Sequence, residues 1–174
     1  MSVTVVVNAL LFQATWFACV IGGAQGQWQW GALGILALLG FSFWRNSLAR
    51  DVALLSVLAV VGFCLDSLWA ATGVLDYGAQ TNYWGAVALA PVWITLLWMG
   101  VGLTTRHSLK FLADRPALGA LLAGGAAVPS YLGGQRLGAV VVPEWASLGI
   151  IALAWALAFF VLFSVVDTTD RSSV

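Results

Sequence analysis

The chain has 174 residues, 61% of them hydrophobic and 8% charged, with a mean hydropathy of +0.96 and seven basic residues balancing seven acidic ones. A water-soluble domain of this composition would expose very large apolar patches, and a net charge of zero offers no electrostatic footprint for nucleic acid. The composition therefore predicts an all-α, polytopic membrane protein: apolar runs of about 20 residues match the hydrocarbon thickness, whereas barrel strands would be short and alternating.

Six apolar stretches, at 3–21, 28–44, 52–73, 84–103, 116–134 and 144–166, predict a six-transmembrane-helix bundle forming one membrane domain over 1–174. The first stretch lacks a basic leader and is longer than a signal core, so it is expected to be a retained helix. It carries Asn8, Gln13 and Thr15, each of which needs a hydrogen-bond partner in a bilayer. Asn8 and Thr15 share a helical face, while Gln13 points about 140° from Asn8. The second stretch opens on Trp28 and Trp30 and closes on Trp44. The third holds Asp66 well inside it, a placement that costs about 2.5–3.5 kcal/mol on insertion scales and calls for a partner or a role. Gly62, Phe63, Trp69, Ala70 and Gly73 fall on the Asp66 face, which predicts that this stripe meets other helices.

In the fourth stretch Pro91 is expected to kink the helix, and in the fifth Pro129 does the same amid Gly119, Gly124, Gly125, Gly133 and Gly134. Gly134 and Gly138 have GxxxG spacing, which suggests close helix packing and oligomerisation through helix five. Glu144, after Pro143, suits the start of helix six by the helix dipole. Cys19 and Cys64 lack metal-type spacing and are expected to be buried thiols.

Basic residues set the expected orientation. Arg45, Arg50, Arg106, Lys110, Arg115 and Arg171 all fall on one side of the six helices, against Arg136 on the other, so the positive-inside rule places both termini in the cytoplasm. Trp28, Trp30, Trp84 and Trp145 would then form an outer aromatic belt, with Trp44 at the inner interface.

No HExxH, GxSxG, Walker, CxxC or dinucleotide pattern is present, so the sequence names no catalytic residue, no metal ligand and no cofactor. What it offers is a constellation: a buried acid, a nearby base, and two proline kinks at similar depth. These predict an outer-half cavity that binds a ligand through Asp66, Arg136, Tyr131, Trp93, Gln13 and Asn8. Plainer readings stand beside it: Asp66 and Arg136 as a buried ion pair or Asp66 as a neutral acid, Asn8 and Gln13 as interhelical glue, Tyr131 as packing. Arg106, His107 and Lys110 are candidates for a lipid headgroup phosphate, or else a solvated basic loop.

The run Pro91-Val92-Trp93-Ile94-Thr95-Leu96-Leu97-Trp98 with His107-Ser108-Leu109, the segment from Pro129-Ser130-Tyr131 through Gly134-Gln135-Arg136 to Ala139, and the opening Asn8, Phe12-Gln13 and Trp16 resemble a family of small bacterial inner-membrane proteins of unknown function. The resemblance implies an inner (cytoplasmic) membrane location and a genomic neighbourhood of lipid-modifying enzymes, among them cyclopropane-fatty-acid synthase-like methyltransferases and flavin-dependent oxidases. It supplies no active site. The expected function is thus binding or transport of a membrane lipid or small hydrophobic molecule; the alternatives are an enzyme or enzyme subunit of acyl-chain modification, and a structural docking partner.

Overall fold

The computed structural model describes residues 2–171, with side chains through Val166; the side chain of Arg171, counted above toward orientation, lies outside that range. Six α-helices and one small hairpin follow in order: α1 (Val3–Ala24), α2 (Gln29–Trp44), α3 (Leu48–Thr72), β1 (Asn82–Trp84), β2 (Val87–Leu89), α4 (Val92–Thr105), α5 (Pro116–Arg136) and α6 (Trp145–Arg171). Helices α1, α3, α5 and α6 are long and apolar enough to cross a membrane, whereas α2 has 16 residues and α4 has 14.

Glycine contacts show which helices run against which. A methyl group on Gly31 or Gly34 of α2 would strike Cys19 or Thr15 of α1, so these two helices run antiparallel. Gly23, at the end of α1, lies against Trp93 at the start of α4, while Asn8, at the start of α1, bonds Leu103 at the end of α4. In the same sense Gly62 of α3 meets Trp98 and Gly102 of α4 meets Leu55. Gly119 and Gly124 of α5 meet Phe163 and Ala152 of α6. Consecutive helices therefore alternate in direction, as short connections between long helices favour. Small residues allow this approach because backbones can close on whole side chains.

The fourth helix departs from expectation. Residues 82–89 form the hairpin, paired antiparallel with Asn82 opposite Leu89, and α4 begins only at Val92. Pro91 stands at the cap position, where its missing amide costs nothing, so it starts the helix and does not kink it. The hairpin is fastened to α3 by the Ala90 amide, which donates to Ser67 Oγ at 3.0 Å. Asp76 and Val141 exchange backbone hydrogen bonds of 3.0 and 2.7 Å, tying the same connection to the α5–α6 loop.

Helix α5 ends at Arg136, and Gly138 beyond it takes φ +80°, so the Gly134–Gly138 pair is a helix terminus and not a helical GxxxG face. Pro129 does lie inside α5 and leaves the Gly125 carbonyl without its helical amide. Cys19 is buried as expected; Cys64 is exposed on the apolar flank of α3, as is Phe63. Trp28, Trp30, Trp44, Trp84 and Trp145 are all exposed.

Candidate functional site

Asp66 is fully buried and held by three neutral donors. The Tyr77 and Tyr131 hydroxyls both donate to Oδ1, the latter at 3.0 Å, and Trp98 Nε1 donates to Oδ2 at 2.7 Å. Gly62, one turn before Asp66, makes this possible: any larger residue would occupy the space of the Trp98 ring. Burial holds the Tyr77 phenol well above the usual tyrosine range, so it remains a donor. Around this tie the rings of Trp69, Tyr131, Trp98, Trp155 and Phe159 pack at centroid distances of 4.6–6.4 Å. The arrangement joins α3, α4, α5 and the α3–α4 connection through one carboxyl group.

Arg136 takes no part. Its side chain is exposed at the end of α5, and among the described residues Asp66 has no ionic partner. The expected Asp66–Arg136 pair is therefore not formed, because phenol and indole donors reach the carboxyl from inside the bundle while Arg136 stays at its rim. Trp93 joins the same aromatic group through Tyr77, with ring centroids 5.9 Å apart, and its indole N–H has no hydrogen-bond partner among the described residues.

A second polar cluster lies at the opposite end of α3. Asp51, fully buried in the first turn, accepts from Ser47 Oγ at 2.5 Å and lies 2.8 Å from His107 Nε2. The imidazole stands edge-on to Phe41 at 5.1 Å between centroids. Ser47 and Asp51 both approach the same ring nitrogen, with Ser47 Oγ at 3.3 Å. A nucleophilic triad needs the two on opposite nitrogens, so this geometry fastens the α2–α3 turn to the α4–α5 turn and does not activate the serine. His107 consequently turns inward, away from Lys110, which is exposed, and from the headgroup role expected of Arg106, His107 and Lys110 as a set.

Asn8 serves the same end of the bundle. Its amide nitrogen donates to the Leu103 carbonyl at 3.3 Å, and its Oδ1 accepts from the Ser108 amide and hydroxyl at 3.2 and 2.7 Å. Asn8 is thus interhelical glue, remote from Asp66.

The concavity lies elsewhere than the expected Asp66–Arg136 pocket. A cleft of about 510 Å³ runs between α1, α4, α5 and α6, with Phe12, Trp16, Val101, Leu122, Trp155 and Phe159 among its walls. Gln13, Pro129 and Ser130 supply its polar and irregular positions, and Trp16 Nε1 donates to Ser130 Oγ across it at 3.0 Å. Along α5 the lining extends from Gly119 to Ser130, about 16 Å at the helical rise. Trp155 is the shared wall: it lines the cleft and packs, tilted by 36°, against Trp98 behind it.

The sequence family described as "Protein of unknown function (DUF2878)" matches residues 5–161 of this chain. The chain belongs to that family. No curated protein and no solved structure matches it. For this member of the family, the geometry divides the expected ligand residues into three groups. Asp66, Tyr131 and Trp93 are part of one packed core, Gln13 faces the cleft, and Asn8 and Arg136 lie at opposite ends of the molecule. Sequence reasoning missed Tyr77, Trp98, Ser47 and Asp51. Asp51 carried a usable signal, since Ser47 and Asp51 stand one turn apart at a helix start, but its partner His107 is 56 residues away.

Proposed function

We propose that this chain crosses the membrane six times and holds a lipid chain or small hydrophobic molecule in the cleft between α1, α4, α5 and α6. The cleft's size and lining carry this reading. Its 510 Å³ falls within the usual range for ligand sites, and its walls are aromatic and aliphatic with very few polar groups. Exposed lining residues such as Phe111, Leu122 and Ala126 connect it to the surface that would face hydrocarbon. None of its lining residues is Asp, Glu, His, Lys, Arg, Cys or Tyr, so the cleft provides binding surface without an acid–base group. This favours a binder or carrier over an enzyme of acyl-chain modification.

The six-crossing reading is supported by the alternation of helix directions. With α1 and α3 parallel and each long enough to span, α2 must return the chain across the bilayer, and α4 must do so between α3 and α5. The 14 residues of α4 cover about 21 Å, and the buried Ala90 and Pro91, tied to α3 by the Ala90–Ser67 hydrogen bond, extend the passage toward the hairpin, whose exposed Tyr83 and Trp84 suit the interface. By the positive-inside rule the end bearing Arg45, Arg50, Arg106, Lys110 and Arg115 is cytoplasmic, with both termini.

The test is Ala126→Trp, which fills the cleft from its exposed side. Native mass spectrometry of protein released from lipid nanodiscs should show a lipid or hydrophobic adduct on the wild type, at least tenfold reduced in the variant. Equal adducts on both would refute the cleft as the binding site.

A further inference from the structure

We infer that the molecule held in the cleft carries an uncharged hydrogen-bonding group, a carbonyl or hydroxyl, which sits at mid-membrane depth and pairs with the Gln13 amide and the Ser130 hydroxyl. This rests on the binding role proposed above and adds the ligand's chemistry to it.

Gln13 is the observation that carries it. It stands at the midpoint of α1, ten residues from one end and eleven from the other, in a helix long and apolar enough to span. The other two polar side chains of this helix beyond its first turn, Asn8 and Thr15, are satisfied by the protein. Asn8 makes three hydrogen bonds, and Thr15 Oγ1 donates to the Leu11 carbonyl at 2.8 Å. Gln13 is exposed, lines the cleft, and has no hydrogen-bond partner among the described residues. Hydrocarbon offers an amide nothing, so an unpaired one at this depth is costly unless the occupant of the cleft supplies the partner.

A second group points the same way. Ser130 is half-buried in the opposite wall, where its oxygen accepts the Trp16 indole N–H, and among the described residues its own proton has no acceptor. Trp16 is one turn from Gln13 on the same face of α1, so the amide and the free hydroxyl proton flank one stretch of the cleft. Together they present donors from both sides and one acceptor. No charged side chain lines the cleft, so a carboxylate, phosphate or ammonium would enter uncompensated. The group must be neutral, and the hydrocarbon around it lies against Phe12, Trp16, Trp155 and Phe159. Two kinds of molecule present this chemistry: an acyl chain oxygenated along its length, and a lipid quinone whose ring carbonyls descend to the bilayer middle.

The experiment is competition against a phospholipid carrying a photoreactive diazirine in its acyl chain, crosslinked to protein in nanodiscs. The competitors are a stearoyl phosphatidylcholine, its 10-keto-stearoyl counterpart and a decyl-substituted benzoquinone. In wild type the keto chain, the quinone or both should compete about tenfold better than the plain chain, and which one does identifies the source. In Gln13→Leu, which removes no hydrogen bond among the described residues, that preference should vanish, the keto chain and the quinone competing no better than the plain chain. Equal competition by all three in wild type overturns the inference but leaves the cleft as a lipid site, as does a preference that survives in Gln13→Leu. Crosslinking that no competitor reduces and that Ala126→Trp does not change defeats the binding role itself. Should Gln13→Leu instead turn a dimer into monomers with competition unaltered, the amide serves self-association and the inference fails.

Discussion

Gly62→Ala is the sharpest probe of how this bundle is closed. An added methyl on Gly62 would lie 2.0 Å from Trp98 Cγ and 2.2 Å from Cδ1, against a comfortable carbon–carbon separation of about 3.5 Å, so the ring must move by roughly 1.5 Å. Trp98 has little room to do so. It is fully buried, backed by Trp155 at 4.6 Å between centroids, and its indole N–H is committed to Asp66 at 2.7 Å. Overpacking of this kind costs about 1–3 kcal/mol, and loss of the hydrogen bond to the buried carboxyl adds about 1.5–3 kcal/mol. The gain from replacing a helical glycine offsets about 1 kcal/mol, leaving a net destabilisation of about 2–5 kcal/mol. Reversible unfolding of detergent-solubilised protein by sodium dodecyl sulfate, followed by tryptophan fluorescence, measures it. Gly40→Ala in α2, where nothing lies within 4 Å, is the control and should be neutral or slightly stabilising. If Gly62→Ala falls within about 0.5 kcal/mol of the wild type, α3 and α4 are not locked at this point and the account of Asp66 as a structural tie is wrong.

Two further substitutions test the polar ties by the same assay. Asp66→Leu leaves the Tyr77, Tyr131 and Trp98 donors buried without an acceptor and should cost about 3–5 kcal/mol, whereas Asp66→Asn keeps an oxygen for the phenols and should cost about 1–3 kcal/mol; equal losses would mean that the hydrogen bonds contribute little. Asp51→Ala strands Ser47 and His107 and should cost about 2–3 kcal/mol, with faster amide hydrogen exchange at Ser47 and across residues 104–110; unchanged exchange there would show that the two turns are held by packing alone.

The part of the site visible in the sequence was Asp66, and the reason is energetic. A carboxyl deep in an apolar helix stands out whatever surrounds it, because hydrocarbon cannot accommodate it. Of its three donors only Tyr131, close to Pro129, stood out beside it. Tyr77 is in a connection and Trp98 is one of ten tryptophans, and neither residue type is anomalous at a membrane boundary or in an apolar helix. Arg136 drew attention because charge is conspicuous, yet neutral phenol and indole donors satisfy the acid without burying a cation beside it. Gln13 was legible for the same reason as Asp66, although nothing in its neighbours showed that it would face a cleft while Asn8 faced the protein.

Hydropathy alone, therefore, determined that the chain is built of apolar helices, roughly where they begin and end, and that Asp66 must be sheltered. Those are local consequences of burying side chains and backbone in a medium without water. Tertiary structure decided what shelters the acid, that Pro91 opens a helix and does not bend one, that His107 turns inward to Asp51, and that the cleft lies against α1 and not beside Arg136. Each of these depends on residues tens of positions apart meeting across helix faces, and on a methyl's width of space at Gly62, Gly23 or Gly124 that lets them meet.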